Sequence, residues 1–143
     1  MLSVAIIGCG VIAPTHAKAL ALDGRATISW ACDPDLAKAR TQIAAARYSA
    51  DWRDALADPG VDLVCVCTPH AQHADQVVAA LAAGKHVLCE KPLATNPADV
   101  ERMLAAAEAA ARRPTPLVAA GIFQHRYNPL TARLQQMLRD GEF

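Results

Sequence analysis

Short apolar runs alternate with longer alanine-rich stretches along the whole chain. The runs cover residues 2–7, 26–31, 61–67, 86–89 and 117–122, with a shorter piece at 48–50. Most are continuous rather than alternating, the pattern of strands buried on both faces of a parallel sheet. The stretches between them carry helix punctuation. Residues 12–22 end at Asp23-Gly24, where a glycine suits the position after a last helical turn. Residues 34–46 open on Asp33-Pro34, an N-cap with a proline at the first helical position. Residues 70–83 close at Gly84, 97–112 open on Asn96-Pro97-Ala98-Asp99, and 129–139 open on Asn128-Pro129 and close at Gly141. Strand–helix alternation with short links predicts βαβ crossovers, and so an α/β fold with a doubly wound parallel sheet.

Composition narrows the class without naming a function. At 143 residues, 53% hydrophobic and 20% charged, the chain suits one ordinary core rather than disorder, a collagen repeat or a small disulfide scaffold. Lys+Arg 14 against Asp+Glu 14 leaves no net charge to draw in nucleic acid or an anionic membrane. Alanine is the anomaly, 32 residues against 4% aromatics, and predicts helices packed closely on the sheet. The five cysteines are an odd number with no C-x-x-C pair, and Cys32, Cys65, Cys67 and Cys89 fall in apolar runs as small hydrophobes. The first apolar run stops at Gly8 with no basic region before it, unlike a signal sequence or a membrane span. Together these readings point to a reduced, cytoplasmic protein with no metal site and no nucleic-acid or membrane partner.

The chemistry begins where the first strand ends. Gly8-Cys9-Gly10-Val11-Ile12-Ala13 is a G-x-G-x-x-A loop between a strand and a helix. Gly8 would make the turn, Gly10 would admit a pyrophosphate to the backbone, and Ala13 would let helix pack on strand. Asp33 ends the second strand, twenty positions past Ala13. A carboxylate there can accept from both ribose hydroxyls and would repel a 2′-phosphate, favouring NAD over NADP. It can also cap the helix opened by Pro34. Arg40 lies nearly two turns further on, too distant to cradle a phosphate.

Two later strands end in polar residues. Thr68-Pro69-His70-Ala71-Gln72-His73 follows the run at 61–67, where loops line the ligand crevice of a parallel sheet. His70 and His73 share a helix face but lack a third metal ligand. His16 reads as a packed or capping side chain. Glu90-Lys91-Pro92 ends the strand at 86–89. Glu90 can accept from a ribose hydroxyl, and Lys91 can donate to a substrate oxygen or polarise a carbonyl. Pro92 is a candidate for a preceding cis peptide bond.

In combination these residues resemble the N-terminal domain of the glucose–fructose oxidoreductase / inositol dehydrogenase (Gfo/Idh/MocA) family. The matching pieces are Gly8-Cys9-Gly10 with Ile12-Ala13 and His16, Asp33, Thr68-Pro69 with His73, Glu90-Lys91-Pro92, and Arg126-Tyr127-Asn128-Pro129. The resemblance implies a Rossmann-like domain and NAD(P)-dependent hydride transfer at a hydroxyl-bearing carbon of a sugar, polyol or related compound. It implies cofactor contacts from Gly8, Gly10, Val11, Ile12, Asp33, Thr68, Pro69, His73, Glu90 and Lys91, with Lys91 also the catalytic residue beside the substrate. The same fold also serves NAD-sensing regulators and NAD-assisted glycosidases, which remain alternatives. Family members carry a second, largely antiparallel substrate domain that supplies the proton acceptor and commonly the oligomer interface. Residues 1–124 are therefore expected to form the dinucleotide-binding domain and 125–143 to begin the link to a domain absent from this chain. His125 is the local candidate for a proton acceptor, and a homo-oligomer is expected.

Overall fold

The computed structural model describes residues 1–142. Six strands, β1 (Leu2–Ile7), β2 (Ala26–Cys32), β3 (Arg47–Ser49), β4 (Leu63–Val66), β5 (His86–Cys89) and β6 (Ala119–Gly121), are joined by six helices. These are α1 (Ala13–Asp23), α2 (Leu36–Gln42), α3 (Arg53–Ala57), α4 (His73–Ala82), α5 (Pro97–Ala111) and α6 (Pro129–Arg139). All strand pairings are parallel, in the order β3-β2-β1-β4-β5-β6. This is the doubly wound Rossmann order, and the strand sequence reverses direction between β1 and β4. A crevice therefore opens at the carboxyl ends of those two strands.

The continuous apolar runs follow from burial on both sheet faces. Ala5 and Ile7 of β1 point into one core with Val64, Val66, Val77, Leu81 and Met103. Val4 and Ile6 point into the other with Ala13, Ala39, Ile43 and Cys65. Alanines at helix–sheet contacts, such as Ala13, Ala39, Ala55 and Ala80, are fully buried, as the close packing required. All five cysteines are free and buried.

The helix expected over 34–46 is the main local departure. It starts later, with Asp35 as the N-cap accepting from the Lys38 amide, and stops at Gln42. Ile43 is extended and buried, and the Tyr48 hydroxyl donates to its carbonyl while accepting from the Ala45 amide. That tertiary bracket holds 43–45 out of the helix. α3 was not expected: five residues are too few for periodicity to register. The helix expected over 70–83 begins as a 3-10 turn, His70–Gln72, before α4. A second such turn, Gln124–Tyr127, precedes α6.

Candidate functional site

β1 feeds the chain into Gly8-Cys9-Gly10 at the crevice. Gly8 has φ of 83°, and a Cβ there would lie 2.8 Å from the Cys67 carbonyl carbon and oxygen. Only glycine fits this turn. Gly10 is different, because nothing lies within 4 Å of where its Cβ would stand. No protein neighbour requires a glycine there; its smallness leaves the backbone open to a ligand. α1 follows with neither a side-chain cap nor an acidic residue in its first turn. The Ala13, Thr15 and His16 amides donate to the Gly10 and Ile12 carbonyls, and Pro14 has no N–H. The Gly10, Val11 and Ile12 amides just ahead of the helix, with its positive dipole end, are therefore what face an anion such as a dinucleotide pyrophosphate. Val11 is 99% exposed beside this opening, and Ile12 forms part of its wall.

Asp33 is tied to the same loop. Its Oδ2 accepts from the Cys9 amide at 2.9 Å and from Lys38 Nζ at 2.9 Å, and its Oδ1 accepts from the Asp35 amide at 3.0 Å. Burial disfavours its charge, but the bonds from Cys9, Lys38 and Asp35 outweigh burial and hold the carboxyl below its ordinary range. The Asp33 carboxylate does not cap α2; Asp35 performs that function, because Asp33 is turned back to the glycine loop. A cleft of about 380 Å³ lies here, lined by Gly8, Asp33, Trp52, Arg53, Thr68 and Gln76 among others. The Arg53 guanidinium stacks on Trp52, 4.4 Å from the ring centre.

A second cleft, of about 560 Å³, lies on the other side of the loop and is lined by Ile12, His16, His70, Glu90, Lys91 and Gln124 among others. Glu90 Oε1 accepts from His16 Nε2 at 2.9 Å, and Glu90 Oε2 from the Lys91 amide at 3.0 Å. The Lys91 side chain is exposed in this cleft, and the Lys91–Pro92 peptide is cis.

Thr68 and Pro69 stand between the clefts at the end of β4. The Thr68 hydroxyl donates to Gln76 Oε1 at 2.6 Å, while Pro69 is exposed. His73 is fully buried, its Nδ1 2.9 Å from the Pro92 carbonyl oxygen and its Nε2 2.9 Å from that of Thr68. A neutral ring can donate to one of these and a protonated ring to both. With both nitrogens engaged, His73 has none left for a ligand; it ties together the loops after β4 and β5. His125 and Arg126 are exposed and line neither cleft.

A Rossmann order, a glycine cradle with open space, and a carboxylate at the end of β2 are joined by a family match. Residues 2–116 match the Gfo/Idh/MocA profile, described as an oxidoreductase family with an NAD-binding Rossmann fold. The chain belongs to this family. An inositol 2-dehydrogenase from Salmonella paratyphi B is 33% identical over 99% of the chain and 42% of its own length. Among solved structures, the WlbA dehydrogenase from Bordetella pertussis, in complex with NADH and UDP-GlcNAcA, superposes with a TM-score of 0.89. It is 29% identical over 99% of this chain and 43% of that one. A 3-ketoreductase from Actinomadura kijaniata in complex with NADP gives 0.82 at 28% identity, over 98% and 42%. The chain thus spans about two fifths of the length of the curated relatives it matches.

Three contributions to this Gfo/Idh/MocA site were not legible beforehand: the bond from His16 to Glu90, Lys38 on Asp33, and the Trp52–Arg53 wall. The wall belongs to the unexpected α3 and its approach. Lys38 had a signal, since five residues after Asp33 it returns to the start of α2. Among the described residues, no helix is long and apolar enough to cross a membrane, and no group of three or more His, Cys, Asp or Glu side chains is placed to hold a metal ion.

Proposed function

We propose that the chain is the cofactor-binding part of an NAD(P)-dependent dehydrogenase acting on a hydroxyl group of a sugar, polyol or related small molecule. The observation that carries this is the open glycine cradle at Gly10, bonded through Cys9 to Asp33 on one side and flanked by the Glu90–Lys91 cleft on the other. The length of a dinucleotide needs such a two-sided arrangement across one pyrophosphate site.

In this reading Gly8, Gly10, Val11 and Ile12 hold the pyrophosphate and Asp33 takes the adenosine ribose. Thr68 and Pro69 border the middle of the cofactor, and Glu90 takes the nicotinamide ribose. His73 fixes the walls from behind. A bound nicotinamide supplies hydride transfer to or from the substrate carbon. Lys91, on a strand end braced by Glu90, holds the substrate oxygen and stabilises negative charge on it. Inositol as substrate of the 33%-identical relative, and the nucleotide sugar in the WlbA complex, support the sugar or polyol class.

The division at residue 124 is supported by α6, of which no residue is buried and whose Leu130, Leu134 and Leu138 lie exposed on one face. The same face supports self-association, and five free thiols support a reducing compartment such as the cytoplasm. Titration of the chain with NADH, followed by nicotinamide fluorescence, tests the reading. Saturable binding that is lost in Gly10→Val is expected; no binding at millimolar cofactor overturns it.

A further inference from the structure

Asp33 is more fully occupied than a simple ribose acceptor would be. A carboxylate offers about four lone-pair positions, and three are filled by the Cys9 amide, the Asp35 amide and Lys38 Nζ. One is left, so both ribose hydroxyls can bind Asp33 only if a present donor leaves. The two amides are parts of the glycine turn and of the entry to α2, fixed by the fold. Lys38 is not: its side chain is 42% exposed and carries the charge on a flexible four-carbon stem.

An isolated carboxylate at this place would repel a 2′-phosphate. Here the carboxylate already faces an ammonium at 2.9 Å, so the pair carries no net charge. Any group that reaches the last lone pair of Asp33 arrives next to Lys38 Nζ. Other cations nearby are committed elsewhere. Arg53 stacks on Trp52 and pairs with Asp51 at 3.2 Å, and Arg40 lies over Tyr48. The Lys38 amide at the start of α2 is taken by Asp35.

We propose that Lys38 is the residue that sets the choice between NAD(H) and NADP(H). It moves from Asp33 to the 2′-phosphate when that phosphate is present, and competes with the ribose 2′-hydroxyl for Asp33 when it is not. The chain therefore accepts both cofactors, and does not exclude NADP as Asp33 alone would. The proposal rests on the dinucleotide reading above. It assigns to Lys38 an electrostatic role that neither the glycine loop nor Asp33 supplies.

The test is a fluorescence titration of the chain and of Lys38→Met with NADH and NADPH, with Lys38→Arg alongside. Lys38 is exposed, so the fold is expected to survive; circular dichroism of both variants verifies it. Loss of one charge-assisted phosphate bond corresponds to roughly tenfold in affinity. Wild type is expected to bind both cofactors. In Lys38→Met NADPH weakens about tenfold, while NADH stays level or tightens, and Lys38→Arg keeps NADPH binding. A change in preference smaller than about fivefold in Lys38→Met overturns the proposal, as does a wild type that binds NADH alone. A wild type that binds neither overturns the dinucleotide reading itself.

Discussion

His16 Nε2 stands 2.9 Å from Glu90 Oε1, a bond between α1 and the end of β5 across 74 residues of sequence. Both side chains are nearly buried, 12% and 10% exposed. The bond couples the helix that follows the glycine cradle to the segment that carries Lys91. In His16→Ala, Glu90 loses this donor where little water can replace it. A loss of about 1–3 kcal/mol in stability is expected, with weaker NADH binding. Urea unfolding together with an NADH titration measures both, and wild-type values in each would remove the coupling.

Gly8 and Gly10 should fail in opposite ways. Gly8→Ala places a Cβ 2.8 Å from the Cys67 carbonyl at a left-handed φ, so the fold should lose about 2 kcal/mol or more. Gly10→Ala meets no protein atom within 4 Å and should leave stability within about 0.5 kcal/mol of wild type. Its cost should appear in NADH affinity instead. Equal effects of the two substitutions on unfolding would contradict this division.

His73→Phe keeps the buried ring and removes both nitrogens. The Thr68 and Pro92 carbonyls then lose their buried partner, at a cost of about 1–3 kcal/mol for each one left unsatisfied. Hydrogen exchange at the ends of β4 and β5 should quicken together, since one side chain ties both loops. Unchanged exchange at both would show that the loops hold without it.

Lys91→Met should be silent in folding. The side chain is exposed, so unfolding free energy should stay within about 0.5 kcal/mol of wild type. NADH affinity should change only a few-fold, because the role assigned to Lys91 is toward the substrate oxygen. A large loss of NADH binding would move Lys91 into the cofactor site proper.

The thiols predict behaviour in alkali. Burial pushes Cys9 up to about 11 and Cys32, Cys65 and Cys89 up to about 12, from an unfolded value of 9.0. Above pH about 9 the unfolded chain releases thiol protons that the folded chain retains, so stability is full below that pH and declines through the folded values. The urea midpoint should therefore fall as pH rises from about 9 toward 11. The five thiols should also resist Ellman's reagent in the native state and react in concentrated urea. Rapid native labelling would contradict the burial.

Much of this architecture was legible in the chain. A buried parallel strand needs apolar residues on both faces, so β1, β4 and β5 announce themselves as continuous runs. A phosphate cradle needs glycine where a Cβ would clash or obstruct, and Gly8 and Gly10 stand two positions apart in one short loop. Local signals failed where the deciding partner was remote. The end of α2 was set by Tyr48, and the capping residue was Asp35 because Cys9 had claimed Asp33.

The linear order of residues determined the doubly wound sheet, the glycine loop and the polar ends of β2, β4 and β5, because each depends on neighbours a few positions away. The tertiary structure alone decided who satisfies whom. It gave His16 to Glu90, turned His73 inward onto two carbonyls, and set Lys38 on Asp33. Hydrogen bonds act over about 3 Å, and only the folded sheet brings those partners within that distance.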